Sequence, residues 1–137
     1  LAPSLNAILG QRLARKIHED CKEETQLNAE QLAFIKKAVS EIPEASGEKT
    51  APETEWKFYK GKGCKACNDS GYKGRVGIYE ILTLSQEIKA ALSENLSEQQ
   101  VRELAKQQGM TTMQQDGVLK VLDGITTVEE VLRVAGE

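Results

Sequence analysis

Apolar residues recur at helical spacing in two segments of the N-terminal third of the chain. The first segment covers residues 4–17, and Ser4 stands where an N-cap residue belongs. Its apolar positions are Leu5, Ile8, Leu9, Leu13 and Ile17. The second segment covers residues 29–41, and Asn28 and Gln31 before and within it have the spacing of a capping box. The pattern therefore predicts two helices before residue 42.

The middle of the chain has the composition of β-strands instead. Residues 75–82 combine β-branched and aromatic side chains, and residues 56–59 predict a shorter strand before them. Gly71 and Gly74 predict a turn, so we expect the two strands to pair with each other. Residues 43–55 contain two prolines, one glycine and no large apolar residue, which predicts a linker.

The helical period returns after residue 84 and continues to the end of the chain. Four hydroxyl residues that favour N-caps each stand before a short amphipathic segment. They are Ser85, Ser97, Thr112 and Thr127. Gly109 and Gly124 end the second and third segments. The sequence therefore predicts four short helices in a small bundle.

Composition narrows the class of protein. A length of 137 residues allows one domain or two very small ones, and a formal net charge of −3 argues against a nucleic-acid binder. No apolar run reaches 18 residues, so we expect no membrane insertion. Three cysteines cannot all pair, which is typical of a reducing compartment. The chain begins at Leu1 without methionine, and we expect it to be part of a longer protein.

Four residues have the spacing of a metal site. His18 and Cys21 form a His-x-x-Cys pair, and Cys64 and Cys67 form a Cys-x-x-Cys pair among glycines. Two such pairs supply the tetrahedral coordination that structural Zn²⁺ sites use. Closing the intervening loop costs roughly 3 kcal/mol plus a constant, whereas structural zinc contributes on the order of 10 kcal/mol. We therefore predict a structural zinc site made by these four residues, with no open position for catalysis.

Two other interpretations of the same residues remain open. The Cys-x-x-Cys pair could be a redox pair, although that role expects a thioredoxin-like βα context. His18 could be an ordinary surface histidine that follows a helix, with Cys21 simply buried.

The sequence predicts no catalytic residues. It contains no Gly-x-x-x-x-Gly-Lys-Ser/Thr phosphate-binding loop, and no nucleophile stands beside a base in a catalytic pattern. Glu80 has no partner in the sequence for acid–base chemistry. A different class of function also stays open, namely a free-standing zinc-knuckle module that binds peptides, but the chain has no second knuckle.

Three stretches combine into a pattern that a known family shares. They are residues 6–17, NAILGQRLARKI; residues 63–80, GCKACNDSGYKGRVGIYE; and residues 108–131, QGMTTMQQDGVLKVLDGITTVEEV. Together they resemble the C-terminal region of the type II secretion and type IV pilus assembly ATPases, and the pilus-extension branch is the closer match. The similarity covers the chain apart from residues 22–57. The family's first pair is usually Cys-x-x-Cys, so His18 is a departure from its pattern.

The resemblance implies a function for the parent protein rather than for this chain alone. The parent would be a hexameric cytoplasmic ATPase at the inner face of the cell membrane, using ATP and Mg²⁺ bound upstream. Its partners would be the other subunits of the homohexamer and an inner-membrane platform protein, with no role for nucleic acid. The chain itself would be inactive and would serve structure, subunit contacts and docking.

We therefore expect an α+β fold, mostly α. Residues 1–17 would form the terminal helix of the upstream ATPase domain. Residues 18–84 would form a zinc-binding subdomain with the linker 43–55, and residues 85–137 a C-terminal helical bundle.

Overall fold

The structure is a computed structural model, and it describes residues 7–136. The predicted α+β class is confirmed. In chain order the elements are β1 (Ala7–Ile17), β2 (Lys22–Thr25), α1 (Ala29–Ser40), β3 (Phe58–Gly61), β4 (Tyr72–Thr83), α2 (Gln86–Ser93), α3 (Glu98–Gln107), α4 (Met113–Leu122) and α5 (Val128–Ala135). None of the helices in this part of the chain has the length and apolar character needed to cross a membrane.

The predicted helix over residues 4–17 is wrong where the structure describes it, because residues 7–17 form strand β1. β1 pairs antiparallel with β4, and Ala7 lies opposite Thr83. The apolar positions Leu9 and Leu13 are four residues apart, a spacing that keeps one face in a helix and equally in a strand, whose side chains repeat every two residues. The pattern could not separate the two, and pairing with β4 decides the outcome. Ser4, the predicted N-cap, lies outside the described residues.

The predicted strand pairing is also wrong. β4 contains the predicted residues 75–82, but its partner is β1. The shorter strand, β3, lies slightly later than predicted and pairs with β2, so that Lys22 is opposite Gly61 and Thr25 is opposite Phe58. The sequence of β2 is Lys-Glu-Glu-Thr, which has no apolar alternation that could have indicated a strand.

The main core lies on one face of the β1–β4 pair. Ala14 and Ile78 are fully buried there, helices α4 and α5 cover the sheet, and α1 packs on α4. Gly117 lets α4 approach closely, since a Cβ at this position would stand 2.8 Å from Val131 Cγ1 on α5. This packing makes β1, although it is far away in sequence, part of the same core as the last two helices.

The five helices begin as their sequences predict. Asn28 makes the predicted reciprocal capping box with Gln31. Each of the four predicted caps accepts a hydrogen bond from the backbone N–H three residues on, and these caps are Ser85, Ser97, Thr112 and Thr127. Helices α2 and α3 pair around a second, smaller cluster, whose buried members are Leu84, Ile88 and Ala105.

A buried carboxylate joins the end of β1 to the last helix. The Glu130 side chain is 1% exposed and accepts hydrogen bonds from the Arg15 backbone N–H at 2.8 Å and from the guanidinium groups of Arg15 and Arg133, both at 2.7 Å. Burial alone would raise the pKa of Glu130, but the hydrogen bonds from Arg133 and Arg15 outweigh it and lower that pKa to about 2. The Tyr72 ring lies 4.3 Å from the Arg15 guanidinium carbon, and its hydroxyl bonds Thr127 Oγ1 at 2.8 Å.

The Glu130 bonds predict acid-sensitive stability. Because the folded-state pKa lies below the ordinary value of 4.5, the stabilisation is complete above that value and is lost as the pH falls from about 4.5 towards 2. Glu130→Gln should lower the free energy of unfolding by roughly 2–3 kcal/mol at pH 7, and the difference from the unmodified protein should shrink at pH 3. Urea unfolding of both proteins at the two pH values measures this difference.

The control for this experiment is Glu129→Gln, which changes an exposed carboxylate on the same turn of α5. It should have little effect at either pH. A Glu130→Gln deficit that stays the same at both pH values would contradict the electrostatic explanation.

Candidate metal centre

The two predicted ligand pairs lie at the ends of the strands. His18 directly follows β1, and a single 3-10 turn over Glu19–Cys21 places Cys21 just before β2. Cys64 follows β3 closely and begins the turn Lys65–Cys67. Pairing of β2 with β3 therefore brings together two segments that 42 residues separate in sequence.

Backbone hydrogen bonds fix the two segments to each other. The Lys62 N–H donates to the Cys21 carbonyl and the His18 N–H donates to the Gly71 carbonyl, both at 2.9 Å. Gly61 and Gly71 cross here so closely that a Cβ on Gly61 would overlap the Gly71 backbone, and Gly71 has a φ of +81°. Glycine is needed at both positions for the pairs to converge.

The ligand atoms of all four predicted residues lie within 4.8 Å of one another. The His18 Nδ1 atom is 3.3 Å from Cys64 Sγ and 3.6 Å from Cys21 Sγ. The Cys67 Sγ atom is 3.6 Å from Cys64 Sγ and 3.9 Å from Cys21 Sγ. These separations exceed a disulfide bond of about 2.05 Å, and all three cysteines are free thiols.

The distances suit a tetrahedral zinc site. Bond lengths of about 2.3 Å to sulfur and 2.0–2.1 Å to nitrogen place neighbouring ligands about 3.8 Å apart for two sulfurs and about 3.6 Å apart for sulfur and nitrogen. The four separations given above lie within about 0.3 Å of these values, and the other two are at most 4.8 Å. The donor set and its spacing therefore fit zinc, whereas a redox pair would need only two of the thiols.

Comparison with known proteins places the chain in a family. Residues 1–133 match the family model described as Type II/IV secretion system protein. The chain belongs to this family.

Similar curated proteins come from both branches of the type II/IV secretion family. The chain is 38% identical over 132 residues to the type IV pilus assembly ATPase PilB of Thermus thermophilus, covering 96% of the chain and 14% of that protein. It is 37% identical to PilB of Pseudomonas aeruginosa, covering 98% and 22%. It is 34% identical to type II secretion system protein E of the same organism, covering 100% and 24%. The chain thus spans a seventh to a quarter of the length of these relatives.

Hydrogen bonds to the Cys67 sulfur lower the pKa of that thiol. Burial raises the pKa of Cys67, but backbone N–H donors outweigh burial, Gly71 at 3.3 Å and Cys64 at 3.4 Å, and the Cys67 pKa falls to about 6. Burial raises the pKa of Cys21, and the neighbouring thiols raise it further, although the Gly63 N–H acts in the opposite direction. Metals bind the thiolate. Cys67 is therefore the more readily ionised of these two ligands.

Other polar residues singled out in the sequence have structural contacts. Glu80, considered for acid–base chemistry, accepts a hydrogen bond from the Met113 N–H at the start of α4. Sequence reasoning did not identify the hydrogen bonds of Arg15 to Glu130. It also missed Asp20, whose Oδ2 lies 3.5 Å from His18 Nε2. The only sequence signal for Asp20 is its place two residues after the histidine.

A metal site of this kind predicts one zinc ion per chain by elemental analysis. Removing the ion with a strong chelator should cost about 3 kcal/mol or more, because the strand ends lose their cross-link, and should lower the melting temperature by roughly 10 °C. Cys64→Ala should weaken zinc retention more than His18→Ala, because a thiolate carries charge and imidazole does not.

Lys65→Ala is the matched control, since Lys65 lies on the same turn and is exposed. It should retain zinc. A preparation that folds without metal, and whose melting temperature changes neither on addition of zinc nor on addition of chelator, would count against the site.

Proposed function

We propose that this chain is the C-terminal, zinc-binding part of a hexameric ATPase that powers type IV pilus assembly or type II protein secretion. The observation that carries the proposal is the family match over nearly the whole chain, with relatives named for both processes. The convergent His/Cys cluster supports the zinc-binding part of the proposal.

The zinc ion would have a structural role. His18, Cys21, Cys64 and Cys67 would hold it, and bound zinc would supply a cross-link between the end of β1 and the turn after β3. With four protein ligands, no coordination position would remain for a substrate. The protein's own contribution is to hold the donors in place through the glycine crossing and the β2–β3 pairing.

ATP and Mg²⁺ would bind elsewhere in the parent protein. The chain's sequence contains no P-loop, and the relatives are four to seven times longer than the part it matches. The chain would then contribute to contacts between hexamer subunits and to docking on an inner-membrane platform protein, at the cytoplasmic face of the membrane.

We propose that the upstream ATPase domain covers the outer face of the β1–β4 pair. This face, opposite the core, carries Leu9, 59% exposed, and directly across from it Ile81, 50% exposed. Leu13 and Tyr79 extend the same apolar strip. A two-stranded sheet with an uncovered apolar face is marginal by itself. The strip supports a contact between strand β1 and the upstream domain, while the other face of β1 belongs to the core of this chain.

Because the nucleotide would bind elsewhere in the parent protein, we predict that the isolated chain does not hydrolyse ATP. Phosphate release from the purified chain with ATP and Mg²⁺ should equal that of a protein-free blank, whereas the parent protein should turn over. Sustained phosphate release by the isolated chain would refute the assignment. Loss of that activity in Cys64→Ala but not in Lys65→Ala would show that it belongs to the folded chain and not to a contaminant.

The outer-face proposal predicts different outcomes in the chain and in the parent. Leu9→Ser with Ile81→Ser should leave the isolated chain folded, because both side chains are already exposed. In the parent protein the same pair should reduce the ATPase rate and hexamer formation. Sedimentation velocity and phosphate release measure these effects.

Leu92→Ser and Leu132→Ser serve as matched controls, since both leucines are similarly exposed but lie on α2 and α5. Unchanged hexamer formation by the parent protein with Leu9→Ser and Ile81→Ser would overturn the proposed contact between the upstream domain and the outer face.

A further inference from the structure

We propose that Asp20 is the positioning residue for His18, because its carboxylate lies beside Nε2 and favours the proton there, so that Nδ1 faces the three sulfurs. This inference rests on the proposed metal site and names how the unusual ligand of this chain is oriented. The His18 ring presents Nδ1 to Cys64 at 3.3 Å and Nε2 to Asp20 Oδ2 at 3.5 Å, so its two nitrogens have different neighbours.

The carboxylate decides which nitrogen carries the proton. A neutral imidazole has one N–H, and a metal ligand must offer the other nitrogen's lone pair. An ionised carboxylate can only accept hydrogen bonds, so it favours the tautomer with the proton on Nε2. The lone pair then lies on Nδ1, on the side where the sulfurs converge. Outer carboxylates have this effect on metal-bound histidines in general.

The short turn after β1 sets the geometry of the pair. The Cys21 N–H donates to the His18 carbonyl at 3.2 Å, and the His18 N–H is bonded to Gly71. The same turn therefore delivers a ligand, its carboxylate and a second ligand within four residues. The His18 side chain is 6% exposed whereas Asp20 is 82% exposed, so the carboxylate contacts the ring from the solvent side.

A histidine at this position needs orientation that a cysteine would not. A thiolate offers one donor atom, whereas an imidazole offers either of two nitrogens on a ring that can turn over. The adjacent acid, Glu19, lies 3.6 Å from Lys22 Nζ, and of the two acids in the turn it is Asp20 that contacts the ring. Glu19 therefore provides a control of equal charge in the same turn.

The test is zinc affinity of the full 137-residue chain, measured by competition with a chromogenic chelator at pH 7.5. Loss of an outer partner typically costs 10–100-fold in metal affinity, and because Asp20 is exposed we expect about tenfold for Asp20→Ala. Asp20→Asn keeps an acceptor oxygen and should fall between this variant and the unmodified chain. Glu19→Gln should have no effect.

Asp20→Ala in a His18→Cys background distinguishes orientation of the imidazole ring from a general effect of the negative charge on zinc affinity. Asp20→Ala should then change zinc affinity little, because no imidazole remains to be oriented. An equal loss in both backgrounds, or no loss in either, would overturn the proposal. Absence of zinc binding by the unmodified chain would instead overturn the proposed metal site itself.

A spectroscopic readout covers the case in which the His18→Cys background fails to fold. The chain has one histidine, so long-range ¹H–¹⁵N spectra of its ring are unambiguous. We expect the Nε2–H tautomer in the metal-free chain and a mixed or reversed tautomer in metal-free Asp20→Ala, because bound zinc would itself fix the tautomer. A pure Nε2–H tautomer in both metal-free chains would contradict a role for Asp20.

Discussion

The architecture depends on the convergence of three thiols and one imidazole where the strands end. Four of the separations between these groups are 3.3–3.9 Å, which crowds soft, ionisable donors, and thiolates at that distance repel one another unless a cation lies between them. The protein reaches this arrangement through backbone features, namely the Gly61–Gly71 crossing and the β2–β3 pairing. A divalent ion would turn that convergence into a cross-link.

The end of β1 is attached on two sides. On one side His18 joins the cysteine cluster, and on the other Arg15 reaches the buried Glu130 of α5. The Ile17 N–H also donates to the Ile125 carbonyl, and Thr126 Oγ1 donates to the Arg15 carbonyl. The cluster and the C-terminal helices are thus connected through a few consecutive residues.

The parts of the fold that are marked by local chemistry could be predicted from the sequence. A capping side chain acts within three residues, so Asn28, Ser97 and Thr112 identified the starts of their helices. Ligand pairs with two intervening residues are equally local, and the four proposed zinc ligands were found in this way. That they bind zinc stays a prediction.

The errors arose where the outcome depends on distant residues. Leu9 and Leu13 satisfy the helical and the strand period alike, and only pairing with β4, more than sixty residues away, selects the strand. β2 has a charged sequence and is a strand because β3 lies beside it. Glu130 is an ordinary acid in sequence, and its role depends on Arg15, which the fold brings against it from the other end of the chain.

Zinc K-edge X-ray absorption spectroscopy of the purified chain tests the central claim most directly. We predict a single first shell of three sulfurs at about 2.3 Å and one nitrogen at about 2.0–2.1 Å. A shell dominated by oxygen or nitrogen, or a protein that folds with no bound zinc, would contradict the account.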